Sequence, residues 1–250
     1  MNRYFNLDDR FCTAPYGPDH FGRLPSDELK ISAEDRAILR ELVKKKAEFA
    51  HSPQMDENRK LWRATNVHML HGRMASGRLQ GRLLKMLVQM ARPESIIEVG
   101  TFSGYSALCM AEGLQSNGKG HLYTFEINDE QEPFTRQWIE QSPWAERITF
   151  IIGDAAEEAQ KLGKQFDFAF LDGDKRTYVE TYEALLPLMA PGAFILADNT
   201  LWDGHVIDPE YDRDHQTQGI RRFNDHVKTD DRVTRVILPL RDGLTMIRKN

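Results

Sequence analysis

The stretch from Ile96 to Ala111, IIEVGTFSGYSALCMA, constrains the fold of this chain more than any other. Its first residues form a short, mostly β-branched run that predicts a strand, and residues 106–111 are compatible with a helix. Gly100 to Gly104 must then form the turn between them. Such a turn is typical of a ligand-binding loop, because glycine lets the backbone approach a ligand and the first N–H groups of the helix favour an anionic group such as a carboxylate.

The spacing of the glycines limits which ligand this loop can hold. Dinucleotide-binding folds use the pattern G-x-G-x-x-G, in which a pyrophosphate lies against the backbone, whereas this loop has glycine only at Gly100 and Gly104. The segment HLYTFE predicts a second strand and ends in Glu126, 22 residues after Gly104, where a carboxylate can accept hydrogen bonds from both ribose hydroxyls. These features favour a nucleoside without phosphates.

Size and composition indicate a globular protein with one main domain. A chain of 250 residues can bury a substantial core, and no strong linker divides it. No apolar run is long enough to span a bilayer, so we expect no membrane partner. The first 30 residues lack the order of a secretory signal, and the two cysteines, Cys12 and Cys109, make a disulfide framework implausible. We therefore expect reduced thiols and a cytoplasmic protein.

Charge is distributed unevenly along the chain. Residues 1–95 carry 17 lysines and arginines against 12 acidic residues, whereas residues 96–250 carry 16 against 26. Packing of an N-terminal helical layer against the acidic domain, or against a second subunit, would account for this pattern, and recruitment of an anionic acceptor is the alternative.

The N-terminal part of the chain is predicted to be an arm and helical extension, residues 1–55, followed by the main domain, residues 56–250. Residues 1–25 show no periodicity and predict an arm that docking orders. A capping signal, S-x-x-D, starts at Ser32 and predicts the first helix, with apolar residues following at helical spacing.

Two more helices are predicted before the first strand. One runs from about Asp56 to His71, and the other starts at Ser76 and is stopped by Pro93. Their predicted inward-facing side chains are Leu61, Trp62, Leu70, Leu79, Leu83, Leu84, Leu87 and Met90.

From Ile96 onward, predicted strands and helices alternate, which is typical of a parallel sheet with helices on both faces. The last two predicted strands, VTRVILPL and GLTMIRK, are separated only by Arg241 and Asp242, which is hairpin spacing. The sequence therefore predicts an α/β, Rossmann-like, doubly wound sheet of seven strands, mostly parallel with one antiparallel strand, and extra N-terminal helices. Ligands of such sheets lie beyond the carboxyl ends of the strands.

Three oxygen-bearing side chains follow two of these strands. DFAFLDGDK places Asp172 just past one strand, and AFILADN places Asp198 and Asn199 at the end of the next. Neighbouring side chains beyond a strand end can converge on one point. Oxygen ligands without cysteine or histidine suit a hard cation, Mg²⁺ first, with Mn²⁺ or Ca²⁺ as alternatives. The competing interpretation is that these residues cap helices or turns.

Four motifs in order carry a family resemblance: Glu98-Val-Gly-Thr-Phe-Ser-Gly-Tyr-Ser106, Glu126, FLDGDK ending at Lys175 and LADN ending at Asn199. Their order and spacing resemble the cation-dependent O-methyltransferases of the catechol and caffeoyl-CoA type, which are class I S-adenosylmethionine-dependent methyltransferases. The resemblance runs from about Leu61 to the C-terminus. It implies S-adenosylmethionine as the cofactor and a homodimer, since relatives are commonly homodimers.

The resemblance also implies roles for individual residues. The implied cofactor-binding residues are Ser76, Glu98, Gly100, Thr101, Ser106, Glu126, Ala155 and Asp172. Asp172, Asp198 and Asn199 are the implied metal ligands, and Met74, Trp202 and Asp203 border the acceptor. Asp172 and Lys175 form the implied catalytic set. Lys175 occupies the position of a general base, and a divalent cation together with partial desolvation is expected to lower its pKa.

The resulting hypothesis is methyl transfer from S-adenosylmethionine to a hydroxyl of a vicinal dihydroxy aromatic molecule whose two oxygens chelate the cation. The alternatives are methylation of a hydroxyl on RNA, such as a tRNA wobble nucleoside, a metal-free methyltransferase, a nucleotide-dependent oxidoreductase, and a non-catalytic S-adenosylmethionine-binding module. RNA-binding signatures such as aromatic-rich RNP strands are missing from the sequence. We therefore expect a small phenolic acceptor and no nucleic-acid partner.

Overall fold

The computed structural model of the chain describes residues 56–250. The predicted arm, the helix predicted after Ser32 and Cys12 lie outside the described residues, so the division at residue 55 stays a prediction. The described helices are α1 (Asp56–His68), α2 (Arg78–Ala91), α3 (Tyr105–Asn117), α4 (Glu132–Glu140), α5 (Ala155–Lys161), α6 (Tyr178–Leu185) and α7 (His215–Thr229). The strands are β1 (Ser95–Val99), β2 (His121–Glu126), β3 (Ile148–Ile152), β4 (Phe166–Leu171), β5 (Met189–Asp198), β6 (Val233–Leu238) and β7 (Leu244–Lys249).

The seven strands form one sheet in the order β3-β2-β1-β4-β5-β7-β6. Strands β1 to β5 pair in parallel, and β7 runs antiparallel to both β5 and β6. The predicted fold class is therefore confirmed. The connection reverses direction between β1 and β4, and in sheets of this kind the crevice at that switch point is where ligands bind.

The core lies on both faces of the sheet, because successive side chains of a strand point to opposite sides. Ile96, Phe170 and Leu196 belong to one buried cluster, which includes residues of α1, α2 and α3. Ile97 and Leu171 belong to the other, which includes residues of α5, α6 and α7. Each fully buried large apolar side chain contributes about 1.5–3 kcal/mol of transfer free energy, so this double layer makes β1, β4 and β5 a rigid support for whatever follows their ends.

The helices before the sheet end at different residues from those predicted. Helix α1 stops at His68, and His71 adopts a left-handed conformation with φ of 59° at the start of a short 3₁₀ turn, Gly72–Met74. Helix α2 begins at Arg78, so Ser76 lies just before the helix instead of in it. It ends at Ala91, two residues before Pro93, as a proline stop requires.

The predicted inward faces of α1 and α2 are wrong at three positions. Leu70, Leu79 and Met90 are 82%, 40% and 79% exposed. The buried face of α2 is instead built around Gly81, where a Cβ would lie 2.7 Å from Sγ of Cys109 on α3. The two helices approach closely at this glycine, and Leu79 and Met90 lie on the opposite, exposed side of α2. No helix within residues 56–250 combines the length and apolar character that crossing a membrane requires.

The turn between β6 and β7 is longer than the two residues predicted. The strands pair antiparallel as expected, but the pairing ends at Leu238 and Leu244, which leaves a turn of residues 239–243. Gly243 has φ of 96°, and a Cβ there would lie 2.6 Å from Leu201 in the loop after β5. The extra residues therefore follow from packing of the turn against that loop.

Gly219→Ala tests the packing of α7 behind the 3₁₀ turn Lys175–Thr177. A Cβ at Gly219 would overlap the backbone carbonyl oxygen of Lys175. Alanine gains about 1 kcal/mol of helix propensity over glycine, but overpacking against rigid backbone costs typically 1–3 kcal/mol or more. We expect urea denaturation to show a net loss of about 1–2 kcal/mol in the free energy of unfolding. Gln216→Ala, on the exposed side of the same helix, should change it little, and an equally stable Gly219→Ala protein would contradict this packing.

Candidate active site

The glycine loop between β1 and α3 has the predicted shape, but the structure gives a different reason for Gly100. Gly100 and Gly104 have φ of 93° and 84°. A Cβ at Gly100 would overlap the backbone carbonyl of Asp172, in the loop after β4. Glycine at this position is therefore required by close contact between two loops of the protein, and not only by the approach of a ligand. This contact joins the predicted cofactor loop to the predicted metal site.

Below that loop, Glu98 is a buried acid with an unsatisfied oxygen. Its Oε2 accepts a hydrogen bond of 2.6 Å from Oγ1 of Thr124, which in turn lies 2.6 Å from Oγ1 of Thr101. Its Oε1 is buried and has no hydrogen bond of normal geometry within residues 56–250. Burial raises the pKa of Glu98 to about 8, against a smaller lowering by interaction with the Ser106 side chain. A buried acceptor without a donor is the feature that a ligand amine or hydroxyl would satisfy.

Glu126 closes the other side of the same loop. It is the last residue of β2 and is largely buried. Its Oε2 accepts a 2.8 Å hydrogen bond from the backbone N–H of Phe102, and its Oε1 accepts one of 2.9 Å from Asn128. A carboxylate has about four acceptor positions, so two remain for donors such as ribose hydroxyls.

The other predicted cofactor residues lie on elements around this loop. Ser106 is buried in the first turn of α3, and Ser76 is buried just before α2. Ala155 is buried as the first residue of α5, whose N-terminus is capped by Asp154: its Oδ1 accepts a 2.8 Å hydrogen bond from the N–H of Ala156. The role of each in cofactor binding stays a prediction.

Strand register brings two acids of the predicted metal site to neighbouring positions. Leu171 of β4 pairs with Ala197 of β5, so Asp172 and Asp198, one residue further along, follow adjacent strand ends. Asp198 is 2% exposed. Its Oδ2 accepts a hydrogen bond of 2.7 Å from Nε2 of Gln80 on α2.

These residues do not behave as simple caps. Asp174, not Asp172, caps the Lys175–Thr177 turn, through a 3.0 Å hydrogen bond from the N–H of Arg176. Asp198 accepts one local hydrogen bond, 2.9 Å from the N–H of Asn199, but it also receives the bond from a distant helix. The capping interpretation therefore fails for Asp172. It accounts for only one of the two hydrogen bonds that Asp198 accepts from Asn199 and Gln80.

Lys175 is buried between these acids instead of lying at the surface. Its Nζ donates hydrogen bonds of 2.8 Å to Oδ1 of Asp172 and 2.6 Å to the hydroxyl of Tyr178. Burial alone would lower the pKa of Lys175, but the negative charges of Asp172 and Asp198 outweigh it and the pKa is raised. This direction holds without a cation, and the lowering of the pKa predicted for the cation-bound site stays a prediction. The same acids that would hold a cation here hold a proton on the lysine.

Sequence reasoning missed a third acid, Asp242, which was noted only as a turn residue. Its Oδ2 accepts a 2.7 Å hydrogen bond from Nδ2 of Asn199. Burial raises the pKa of Asp242 to about 6, and repulsion by Asp198 adds to this. Burial also raises the pKa of Asp172, opposed by Lys175 and reinforced by Asp198. Lys175 and Arg241 therefore offset only part of the negative charge of the three acids, and this excess suits a donor set for a hard divalent cation.

The three residues predicted to border the acceptor lie on two separate segments. Met74 is 56% exposed in the short turn before α2. Trp202 and Asp203 open the 3₁₀ segment Trp202–Ile207 after β5, with left-handed φ of 47° and 52°. Trp202 packs against the core, and Asp203 is exposed. The segment begins three residues after Asn199, which places it at the carboxyl end of the sheet.

A second group of possible ligands was also missed from sequence. Single atoms of Glu183, His226 and Asp230 lie within 4.8 Å of one another. However, Arg232 donates hydrogen bonds to both carboxylates, at 3.1 Å to Glu183 and 2.7 Å to Asp230. One guanidinium therefore already pairs with both carboxylates, and the group is a salt-bridge network. His68 and His71 are both exposed, in agreement with their interpretation as ordinary residues.

Comparison with known proteins identifies a family for most of the chain. Residues 50–250 match the model of a family described as O-methyltransferase. The chain is 32% identical to a caffeoyl-CoA O-methyltransferase of Stellaria longipes, over 79% of this chain and 85% of the relative. It is 33% identical to a catechol O-methyltransferase of Niastella koreensis, over 64% and 73%. A solved O-methyltransferase of Bacillus cereus, in complex with SAH, superposes with a TM-score of 0.69 at 30% identity, covering 80% of this chain and 92% of that one.

The buried acid at Glu98 predicts a pH-dependent stability for the ligand-free protein. Its pKa is raised from 4.5 to about 8, so the folded state retains a proton that the unfolded state releases, and stability falls as pH rises from about 4.5 to 8. The variant Glu98→Gln has no titrating group at this position and should not show this loss of stability. Because a tenfold change in proton affinity is worth about 1.4 kcal/mol, we expect the free energy of unfolding of this variant, relative to wild type, to rise by about 4 kcal/mol between pH 5 and pH 8.5. Urea denaturation at the two pH values measures it.

Glu146→Gln is the control for this pH experiment, because Glu146 is exposed in the turn before β3. Its stability relative to wild type should not vary with pH. A Glu98→Gln protein whose relative stability is also independent of pH would contradict the burial of an acid at position 98.

Proposed function

The chain belongs to the S-adenosylmethionine-dependent O-methyltransferase family, and we propose that it methylates a hydroxyl of a catechol-like small molecule in a reaction that depends on a divalent cation. The observation that carries the proposal is the group Asp172, Asp198 and Asn199 at the ends of two adjacent strands, with Lys175 buried against it. Relatives named catechol and caffeoyl-CoA O-methyltransferase support the acceptor class.

The proposed cation site uses one carboxylate oxygen each from Asp172 and Asp198 and the amide oxygen of Asn199. Hard cations such as Mg²⁺ prefer such oxygen ligands, and Mn²⁺ or Ca²⁺ would be accepted by the same set. A bound divalent cation would acidify an aromatic hydroxyl and offset the carboxylate charge that raises the pKa of Lys175.

The proposed cofactor site lies on the neighbouring strand ends. The unsatisfied Oε1 of Glu98 offers an acceptor to the methionine end, and the free acceptor positions of Glu126 suit the ribose hydroxyls. Bound S-adenosylmethionine would supply the methyl group, and its sulfur would keep the electron pair of the broken bond. The contact of Gly100 with Asp172 holds the two proposed sites side by side, which favours in-line transfer by fixing both reactants.

Lys175 is the proposed proton acceptor. In its neutral form, Nζ would take the proton of the acceptor hydroxyl, and its bond to Tyr178 fixes the position of the amine. A phenol has a pKa near 10, so ionising it near neutral pH requires about 4 kcal/mol from the site. That amount is within the range of several kcal/mol that a divalent cation provides.

Other parts of the proposal rest on family resemblance and on the sequence. Met74, Trp202 and Asp203 are proposed to border the acceptor. The active protein is proposed to be a cytoplasmic homodimer with neither a nucleic-acid nor a membrane partner.

Asp198→Ala should abolish turnover while S-adenosylmethionine still binds. Loss of about 4 kcal/mol of hydroxyl activation corresponds to a rate decrease of about 10³-fold. The rate is measured with a catechol at saturating Mg²⁺, and cofactor affinity by calorimetry. Asp225→Ala, an exposed acid on α7, is the matched control and should keep its activity. Full activity of Asp198→Ala in the presence of EDTA would refute the cation site.

A substrate panel separates the proposed reaction from its alternatives. The wild-type protein is incubated with labelled S-adenosylmethionine and catechols, flavonoids, hydroxycinnamoyl thioesters or tRNA, with and without Mg²⁺. We expect label on the phenolic compounds only, and only when Mg²⁺ is present. Label on tRNA would indicate an RNA methyltransferase. A rate that EDTA does not change would indicate a metal-free enzyme. Binding of the cofactor without turnover on any acceptor would indicate a binding module.

A further inference from the structure

We propose that Asp242, in the turn between β6 and β7, is a positioning residue that fixes the side-chain amide of Asn199 so that its oxygen faces the cation. The inference rests on the proposed function, because it assigns a role toward the proposed cation. Asp242 is not one of the proposed ligands Asp172, Asp198 and Asn199.

The hydrogen bond between the two side chains determines which end of the amide is presented. Asn199 donates from Nδ2 to Oδ2 of Asp242 at 2.7 Å. An ionised carboxylate can only accept, so it pairs with the NH₂ group of the amide and not with its oxygen. The oxygen of Asn199 is therefore turned away from Asp242. An amide in the opposite orientation would present hydrogen atoms, which repel a cation.

Backbone contacts hold the turn and the Asn199 loop together. The carbonyl of Asp242 accepts hydrogen bonds from the N–H groups of Leu201, at 2.7 Å, and Trp202, at 3.0 Å. The N–H of Thr200 donates to the carbonyl of Gly243 at 3.1 Å. Three consecutive residues after Asn199 are thus bonded to two consecutive residues of the turn, which fixes the backbone of Asp242 beside that of Asn199.

The preceding turn residue acts on the other neighbouring ligand. Arg241 donates a hydrogen bond from Nη1 to Oε1 of Gln80, and Gln80 donates from Nε2 to Oδ2 of Asp198. The guanidinium can only donate, so it fixes the amide of Gln80 with its NH₂ group toward Asp198. Arg241 therefore orients the amide of Gln80 so that its NH₂ group donates to Asp198, a proposed ligand. Asp242 orients the amide of Asn199, which is itself a proposed ligand, so that its oxygen is free.

Support of this kind has a measurable effect on metal sites. Removing a residue that orients a metal ligand typically weakens metal affinity by 10–100-fold. Asp242→Ala leaves the NH₂ group of Asn199 without its acceptor and the amide able to rotate. We therefore expect the affinity for Mn²⁺ to fall by 10–100-fold, while S-adenosylmethionine affinity stays near that of the wild type.

The decisive variant exchanges the two side chains. Asn199→Asp combined with Asp242→Asn keeps the net charge and the hydrogen bond, but the new amide at position 242 donates to the new carboxylate at position 199. An oxygen at position 199 again faces the cation. We expect this double variant to recover most of the Mn²⁺ affinity lost in Asp242→Ala.

Mn²⁺ affinity of the full chain is measured by electron paramagnetic resonance of free Mn²⁺, without substrate. In a separate assay, the Mg²⁺ concentration for half-maximal rate should rise in Asp242→Ala while the rate at saturating Mg²⁺ changes less. Asp231→Ala, an exposed acid before β6, is the matched control and should bind Mn²⁺ as the wild type does. Unchanged S-adenosylmethionine affinity verifies that each variant is folded.

Two results would overturn the positioning role while leaving the proposed function intact. One is wild-type Mn²⁺ affinity in Asp242→Ala. The other is a folded double variant that binds Mn²⁺ no better than Asp242→Ala, which would mean that the charge at position 242 matters and the orientation of the amide does not. Failure of the wild-type protein itself to bind Mn²⁺ would overturn both the inference and the cation dependence of the proposed function.

Discussion

Close contact between the backbone at Gly100 and the carbonyl of Asp172 is the constraint on which the rest of the site depends. Strands β1 and β4 are neighbours, so the loops that leave them must diverge or touch. They touch here because position 100 has no Cβ and a φ of 93°. The loop that is proposed to hold the cofactor and the residue that begins the proposed cation site are therefore parts of one packed unit, supported on both faces by the core.

Much of the fold could be predicted because its signals are local. The alternation of strands and helices, the glycine turn after β1 and the residues that follow β4 and β5 are all readable in short windows of sequence. These signals predicted the seven-stranded sheet and placed Asp172, Asp198 and Asn199 at its carboxyl edge. The register between Leu171 and Ala197 then follows from burial, since slipping by one residue would turn every buried side chain to the wrong face.

What the sequence did not predict depends on contacts between distant residues. Leu79 and Met90 fit a helical period, yet α2 turns a different face inward, because Gly81 allows close approach to a helix that comes later in the chain. Asp242 looked like an ordinary turn residue, and its bond to Asn199 spans 43 positions. The surroundings of Lys175 in the ligand-free protein could not be predicted for the same reason. The local motif shows a lysine beside one acid, whereas the folded chain surrounds it with Asp172, Asp198 and Tyr178.

The charges collected at this edge of the sheet explain why it suits cationic ligands. Carboxyl groups of Glu98, Glu126, Asp172, Asp198 and Asp242 lie there. The buried Lys175 donates a hydrogen bond to Asp172, and the positive charge of Arg241 lowers the pKa of Asp172. Burial makes ionisation of such acids costly, and three of them have raised pKa values as a result. A sulfonium donor and a divalent cation are both positively charged, so each would stabilise the ionised form of the acids beside it. Positively charged ligands would therefore bind favourably at the proposed site, because they reduce the cost of burying these acids.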